Sequence, residues 1–111
     1  MNDALVFRLA DIAALAQQQF QARYADIDPV IGINRQLRKQ GFAIDLMTID
    51  CHVSKRRVTL LFEDAKPEVA GYQFGWTDKD PESQFESMPV SSLTQQGFYE
   101  LMCRGLVAEN K

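Results

Sequence analysis

Residues 47–53 read MTIDCHV and residues 57–63 read RVTLLFE, and the fold turns on how these two stretches alternate. In the first, Met47, Ile49, Cys51 and Val53 alternate with Thr48, Asp50 and His52. In the second, Val58, Leu60 and Phe62 alternate with Arg57, Thr59, Leu61 and Glu63. A period of two places the two sets on opposite faces of a strand. Setting Lys55 and Arg56 at a hairpin tip pairs Val53 with Val58, Cys51 with Leu60 and Ile49 with Phe62. Every apolar residue then shares one face, whereas a one-residue slip would divide them. The tip lacks the Asn-Gly chemistry of a tight turn, which leaves room for a longer loop. Ile44 and Leu46 are out of phase with Met47, so a bulge near Leu46 or a later strand start is expected.

Beyond the Lys66-Pro67 break, the same period places Tyr72, Phe74 and Trp76 with Ala70 on one face of a third strand, read as core, with Gly71, Gln73 and Gly75 on the other. Residues 77–89 then form an acidic loop punctuated by Pro81 and Pro89. The period changes to that of a helix on either side of this block. Leu5, Leu9, Ile12, Ala16 and Phe20 make an apolar stripe over residues 3–24, with Asp3 as its cap. Asp28-Pro29 reads as the start of a second helix carrying Val30, Ile33 and Leu37, although Gly32 weakens it. Gly41 fits its left-handed C′ position, and Phe42 is placed to fold back on Leu37. Ser92 and Gln95 have capping-box spacing ahead of a last helix that buries Phe98, Leu101, Met102, Gly105 and Leu106. The expected architecture is α+β with the order α-α-β-β-β-α: one domain over residues 1–111, a three-stranded antiparallel meander with helices packed mainly on one face.

Composition sets the class. A chain of 111 residues with 46% hydrophobic content is large enough for one core without disulfides. Its longest apolar run is the five residues from Ile12 to Ala16, far short of a membrane span. With Asp3 and Asp11 and no basic lead-in, the N-terminus does not read as a signal peptide. Cys51 and Cys103 have no metal spacing and are expected as reduced thiols in the cytoplasm. The net charge of −3 argues against general affinity for polyanions. That average conceals an asymmetry. Arg35, Arg38, Lys39, Lys55, Arg56 and Arg57 face only Asp45 and Asp50, a local excess of +4, and form a candidate interaction surface. Residues 63–86 hold seven acids against Lys66 and Lys79, an excess of −5.

No catalytic, cofactor or metal set emerges. His52 is the single histidine, and on a strand Asp50 would lie about 6.5–7 Å away, too far for a direct hydrogen bond. Cys51 would face the opposite way. Asp78, Asp80 and Glu82 alternate like hard-cation ligands, but without the turn glycine or distal glutamate of a calcium loop. The βββ order between helices resembles the double-stranded-RNA-binding domain in topology, yet the last helix begins Ser92-Leu93-Thr94-Gln95-Gln96, without phosphate-gripping lysines. In composition the chain is similar to the small acidic type III secretion chaperones. Both likenesses concern topology or composition alone and carry no residue over.

The expectation is a non-enzymatic protein-interaction or regulatory module. The alternatives are a nucleic-acid binder using the basic hairpin and, third, an enzyme with His52 as its acid-base group. A homodimer is expected, since Phe7 and Leu15 on the first helix and Cys103 and Val107 on the last lie off the main apolar stripes.

Overall fold

The alternating stretch around Ile49 does run as a strand, and it belongs to a sheet of five. The computed structural model describes residues 4–79 and 84–107. Helix α1 (Leu5–Arg23) leads to strand β1 (Val30–Asn34), the one-turn helix α2 (Gln36–Lys39), and strands β2 (Ile44–Cys51), β3 (Arg56–Glu63), β4 (Val69–Trp76) and β5 (Glu86–Pro89). A 3-10 turn at Val90–Ser92 then precedes helix α3 (Gln95–Leu106). The sheet order is the chain order, with every neighbouring pair antiparallel. The α+β class stands, and the three-stranded meander is corrected to five strands.

The two added strands arise from segments read otherwise. After Asp28-Pro29 the chain enters β1 and not a helix. Val30, Ile31 and Ile33 are β-branched and Gly32 is a poor helix former, so a strand that sets Ile31 against Ile49 and Ile33 against Met47 wins. Only Gln36–Lys39 turns helical. Gly41, at φ 96°, closes α2: its N–H donates to the Arg38 carbonyl, and that of Phe42 to the Leu37 carbonyl. This is a Schellman closure, although the Phe42 ring stays largely exposed. The other addition is β5, which takes up the end of the acidic 77–89 segment and pairs with the first half of β4. The proposed Asp3 cap, and Asp80 and Glu82, lie outside the described residues.

The β2–β3 hairpin keeps its predicted faces but not its predicted register. Met47 opposes Leu60, Ile49 opposes Val58 and Cys51 opposes Arg56, so each partner lies four residues from the expected one. A displacement by an even number of residues leaves every side chain on the same face, so the alternation could not detect it. Residues 52–55 form the turn, and Val53 is 76% exposed there instead of pairing with Val58. The turn is tied down by the Ser54 hydroxyl, which donates to the Leu106 carbonyl at 3.1 Å. The ladder runs unbroken from Ile44 to Cys51, so there is no bulge at Leu46. Ile44 and Leu46 face away from the helices, and the inward position between them is taken by Asp45.

Asp45 is buried in line with Met47, Ile49 and Cys51. Its carboxylate accepts from Arg35 Nε at 2.8 Å and from Arg38 Nε at 2.6 Å and Nη2 at 2.9 Å. Arg38 also grips Asp64, just past β3, at 2.7 and 3.0 Å. Burial pushes the Asp45 carboxyl up, but the hydrogen bonds from Arg38 and Arg35 outweigh it and hold the group below the usual aspartate range.

Both helices cover one face of the sheet. α1 lies over β1 and β2, α3 lies over β2 and β3, and the two helices pack against each other. α1 buries Val6, Leu9, Ala13, Ala16 and Phe20, and α3 buries the five residues expected of it. Its cap is Thr94, whose hydroxyl accepts from the Gly97 N–H at 3.1 Å, so the Ser92–Gln95 box is replaced. Gly105 lets α3 settle on the sheet: a Cβ there would come within 2.5 Å of Val58 Cγ2 and 2.6 Å of Phe74 Cδ1.

Two outcomes follow for stability. Gly105→Ala should lose about 1–3 kcal/mol in urea unfolding despite the better helix propensity of alanine, because the added methyl overpacks the α3–sheet contact. Asp45→Ala should lose about 2 kcal/mol, less than a wholly buried pair because both guanidinium groups reach water. The pH dependence has a definite sign. The folded state binds the Asp45 proton less tightly than the unfolded chain does, so the wild-type contribution is complete above about pH 4 and is lost as pH falls through the depressed folded value. Urea midpoints of Asp45→Asn measured across that window should fall less steeply than those of the wild type.

Candidate interaction surface

Strand β4 presents its aromatic residues on the helix-covered side of the sheet, where Tyr72 opposes Leu60, Phe74 opposes Val58 and Trp76 opposes Arg56. The alternation placed them on the correct face, but the expectation that they form core fails for Phe74 and Trp76, while Tyr72 is half-buried and packs against the core. The helices lie mainly over β1 to β3, and α3 only borders β4, so Phe74 and Trp76 remain 38% and 40% exposed. Tyr72 and Phe74 stack at a tilt, with ring centroids 5.7 Å apart. The result is a ridge of three rings beside α3.

Cations lie on these rings. The Arg104 guanidinium, from α3, sits 5.1 Å from the Phe74 centroid and 5.9 Å from that of Tyr72. Arg56 lies 4.7 Å above Trp76 and Lys79 approaches it at 5.8 Å. An open concavity of about 410 Å³ continues from Trp76 past Val53, Ser54, Lys55, Asp78 and Lys79. The Thr77 N–H donates to the Lys55 carbonyl and joins this concavity to the β2–β3 turn. Among the described residues Lys55, Arg56, Lys79 and Arg104 have no carboxylate within ion-pair distance. Against these four cations stand Asp78, in the same concavity, and Glu86, opposite Tyr72. Cationic stacking on exposed rings contributes about 0.5–1 kcal/mol per pair, too little to count as the reason for such an arrangement in folding alone.

The six basic residues singled out by sequence divide into two groups. Arg35, Arg38 and Lys39 lie where β2 begins, and Lys55, Arg56 and Arg57 where it ends. Eight strand residues separate them, on the order of 25 Å at the usual rise. Three of the six are occupied internally: Arg35 and Arg38 by Asp45, and Arg57 by Asp50 through contacts of 2.7 and 2.9 Å. The Asp50 hydrogen bond holds Arg57 protonated even more firmly than usual. Lys39, Lys55 and Arg56 are the cations of the set without an ion pair among the described residues. Arg104 and Lys79 were missed, although Arg104 carried a signal: it lies one residue before the close-contact Gly105.

The four expected dimer contacts also divide. Phe7 and Leu15 are 41% and 50% exposed on α1, whereas Cys103 and Val107 are half-buried and pack against the core. His52 falls in the β2–β3 turn and not on a strand, and Asp50 is committed to Arg57. Both cysteines are free thiols, Cys51 buried and Cys103 half-buried. No cluster of potential metal ligands occurs among the described residues, and no described helix is long and apolar enough to cross a membrane. Comparison with protein-family models, curated proteins and solved structures gives no match.

Arg56 and Arg57, adjacent in sequence, should behave differently when replaced. Arg57→Ala removes the partner of the mostly buried Asp50 and should lower stability by about 1–2 kcal/mol. Arg56→Ala should change stability by less than about 0.5 kcal/mol but shift the emission of Trp76, the single tryptophan, because its stacked cation is gone.

Proposed function

We propose that the protein is a non-enzymatic interaction module that binds an apolar, acid-flanked segment of a protein partner along the Tyr72–Phe74–Trp76 ridge. The observation that carries this reading is the combination of the exposed Phe74 and Trp76 rings with cations that have no carboxylate partner among the described residues. Exposed aromatic residues and arginine are the side chains that most often dominate protein interfaces, the rings because they combine large contact area with few flexible torsions and arginine because its planar guanidinium both stacks and donates several hydrogen bonds. The four surrounding cations favour carboxylates at the rim, where charge sets orientation and association rate. Two free thiols on separate elements fit a reducing compartment, and we place the protein in the cytoplasm.

Rings stacked with arginine can also hold single-stranded nucleic acid. The net charge of −3, with Asp78 and Glu86 beside the rings, favours the protein partner. Trp76 emission separates the two. Proteins captured by the wild type from its own cell extract, but not by a Phe74→Ala/Trp76→Ala variant, should be purified and titrated against the wild type. A saturable change in Trp76 emission is the expected result. A comparable change with a mixed-sequence RNA oligonucleotide, abolished by moderate salt, would replace the protein reading with the nucleic-acid one. Identical capture by the wild type and the variant would remove the ridge from either role.

A further inference from the structure

The two edges of the sheet differ in kind. β5 is four residues long, carries Glu86, and ends on Pro89, which has no N–H to offer. Such features protect an edge against pairing with another chain. β1 has none of them. Its five residues, Val-Ile-Gly-Ile-Asn, include no charge, no proline and no bulge, and its ladder to β2 is regular throughout. It ends the sheet, and no backbone hydrogen bond among the described residues reaches its outer side. A bare, uncharged edge is a template for one more strand.

We propose that this strand is β1 of a second copy, so that two chains join antiparallel about a two-fold axis at Gly32 into one continuous sheet. Three features select the second copy as occupant. First, the sequence is self-complementary in the register of greatest overlap: Gly32 meets Gly32, Ile31 meets Ile33 and Val30 meets Asn34. Each apolar residue thus keeps its face, as an isologous contact requires. Second, the strand is preceded by Asp28 and followed by Arg35, Arg38 and Lys39, which outnumber the Asp45 and Asp64 carboxylates they meet by one charge. An antiparallel copy brings the acidic end of each strand beside the basic end of the other, whereas a parallel strand would set acid beside acid.

The third feature is the helix layer. α1 touches β1 and β2 to a like extent, which sets it near the gap between them, about half a strand spacing inside β1, and the two-fold axis would fall half a spacing outside it. With strands about 4.8 Å apart, the two α1 helices would run about 9–10 Å apart, the distance at which helices pack. The flank of α1 on this side is identified by its contacts: Phe7 lies under Arg35 at 5.1 Å, Gln17 donates to the Pro29 carbonyl at 2.7 Å, and Gln21 donates to Asp28 at 3.1 Å. Helical spacing puts Ala10 and Ala14 between them. Small side chains at the centre and Phe7 at the end suit close approach of a second helix. This pairing uses Phe7, of the dimer contacts expected from sequence, and leaves Leu15, Cys103 and Val107 out. It is independent of the ridge on β4, three strands away.

Light scattering coupled to size exclusion should give twice the chain mass of 12.6 kDa at micromolar concentration. In a Cys103→Ser background, oxidised Gly32→Cys should form a disulfide-linked dimer, since directly opposed antiparallel Cα atoms, about 4.5–5.5 Å apart, fall within disulfide reach. Val30→Cys alone should not cross-link, but mixed with Asn34→Cys it should yield the heterodimer, which also covers the case that Gly32 tolerates no side chain. Gly32→Lys, which sets two like charges face to face, should give a folded monomer by circular dichroism. Phe74→Ala/Trp76→Ala should remain dimeric. A monomeric wild type overturns the proposal. So does a dimer that cross-links at neither position and is dissolved by Leu15→Glu, which would assign the contact to the outer face of α1.

Discussion

A carboxylate at a core position governs this end of the fold. Asp45 occupies an inward site on β2 where alternation would otherwise place an apolar side chain, and it can remain there only with both arginines on it. Arg35 comes from the end of β1, Arg38 from α2, and Arg38 extends the link to Asp64 beyond β3. One buried charge thus fastens the chain reversal between β1 and β2 and the far end of β3. Among the described residues no buried side-chain polar atom lacks a partner, so the arrangement is complete as well as costly to disturb. It also explains why a compact group of basic residues in the sequence is not a free basic patch: its charge is spent within the domain.

The same aspartate marks where sequence reasoning lost the strand. Ile44 and Leu46 are out of phase with Met47, which suggests either a bulge near Leu46 or a later strand start, and the strand has neither. The bulge is unnecessary once a charge is allowed at the inward position and the two apolar residues are left on the less covered face. The four-residue change in hairpin register has a different origin. Alternation defines faces modulo two, and nothing in Cys51, Leu60 or Val53 distinguishes a two-residue turn from the four-residue turn held by Ser54. Val30–Asn34 was misread because Asp28-Pro29 is equally a helix start and an entry to an edge strand. Gly32 was the clue that favoured the second.

The faces of α1, α3 and β4 were legible because each repeats its apolar period several times. How far the helix layer extends over the sheet was not. Alternation can say that Tyr72, Phe74 and Trp76 point the same way as Leu60 and Val58, but not that α3 covers them only in part. That difference leaves Phe74 and Trp76 at the surface and Tyr72 half-buried, and Gly105 sets how α3 meets them, since its missing side chain lets the helix lie low against Val58 and Phe74. The partial cover and the aromatic ridge are therefore one feature viewed from two sides.

A sheet whose spatial order equals its chain order also has a kinetic meaning. Each strand finds its partner across a short connection, so the loop-closure entropy of assembling the meander is small and is met in steps. The contact between α1 and α3 is of another order: Gln19 meets Gln95, and Arg23 meets Tyr99, each across 76 positions of chain. By itself α1 is a helix rich in alanine and glutamine, able to form locally; β1 and β2 can cover one flank of its apolar stripe early, and only the last helix covers the other. During synthesis, where α1 emerges before α3, that second flank must therefore wait for nearly the whole domain. The expected consequence is that the nascent chain carries a half-covered stripe until α3 emerges, so its protection during translation falls to whatever holds nascent helices in the cell.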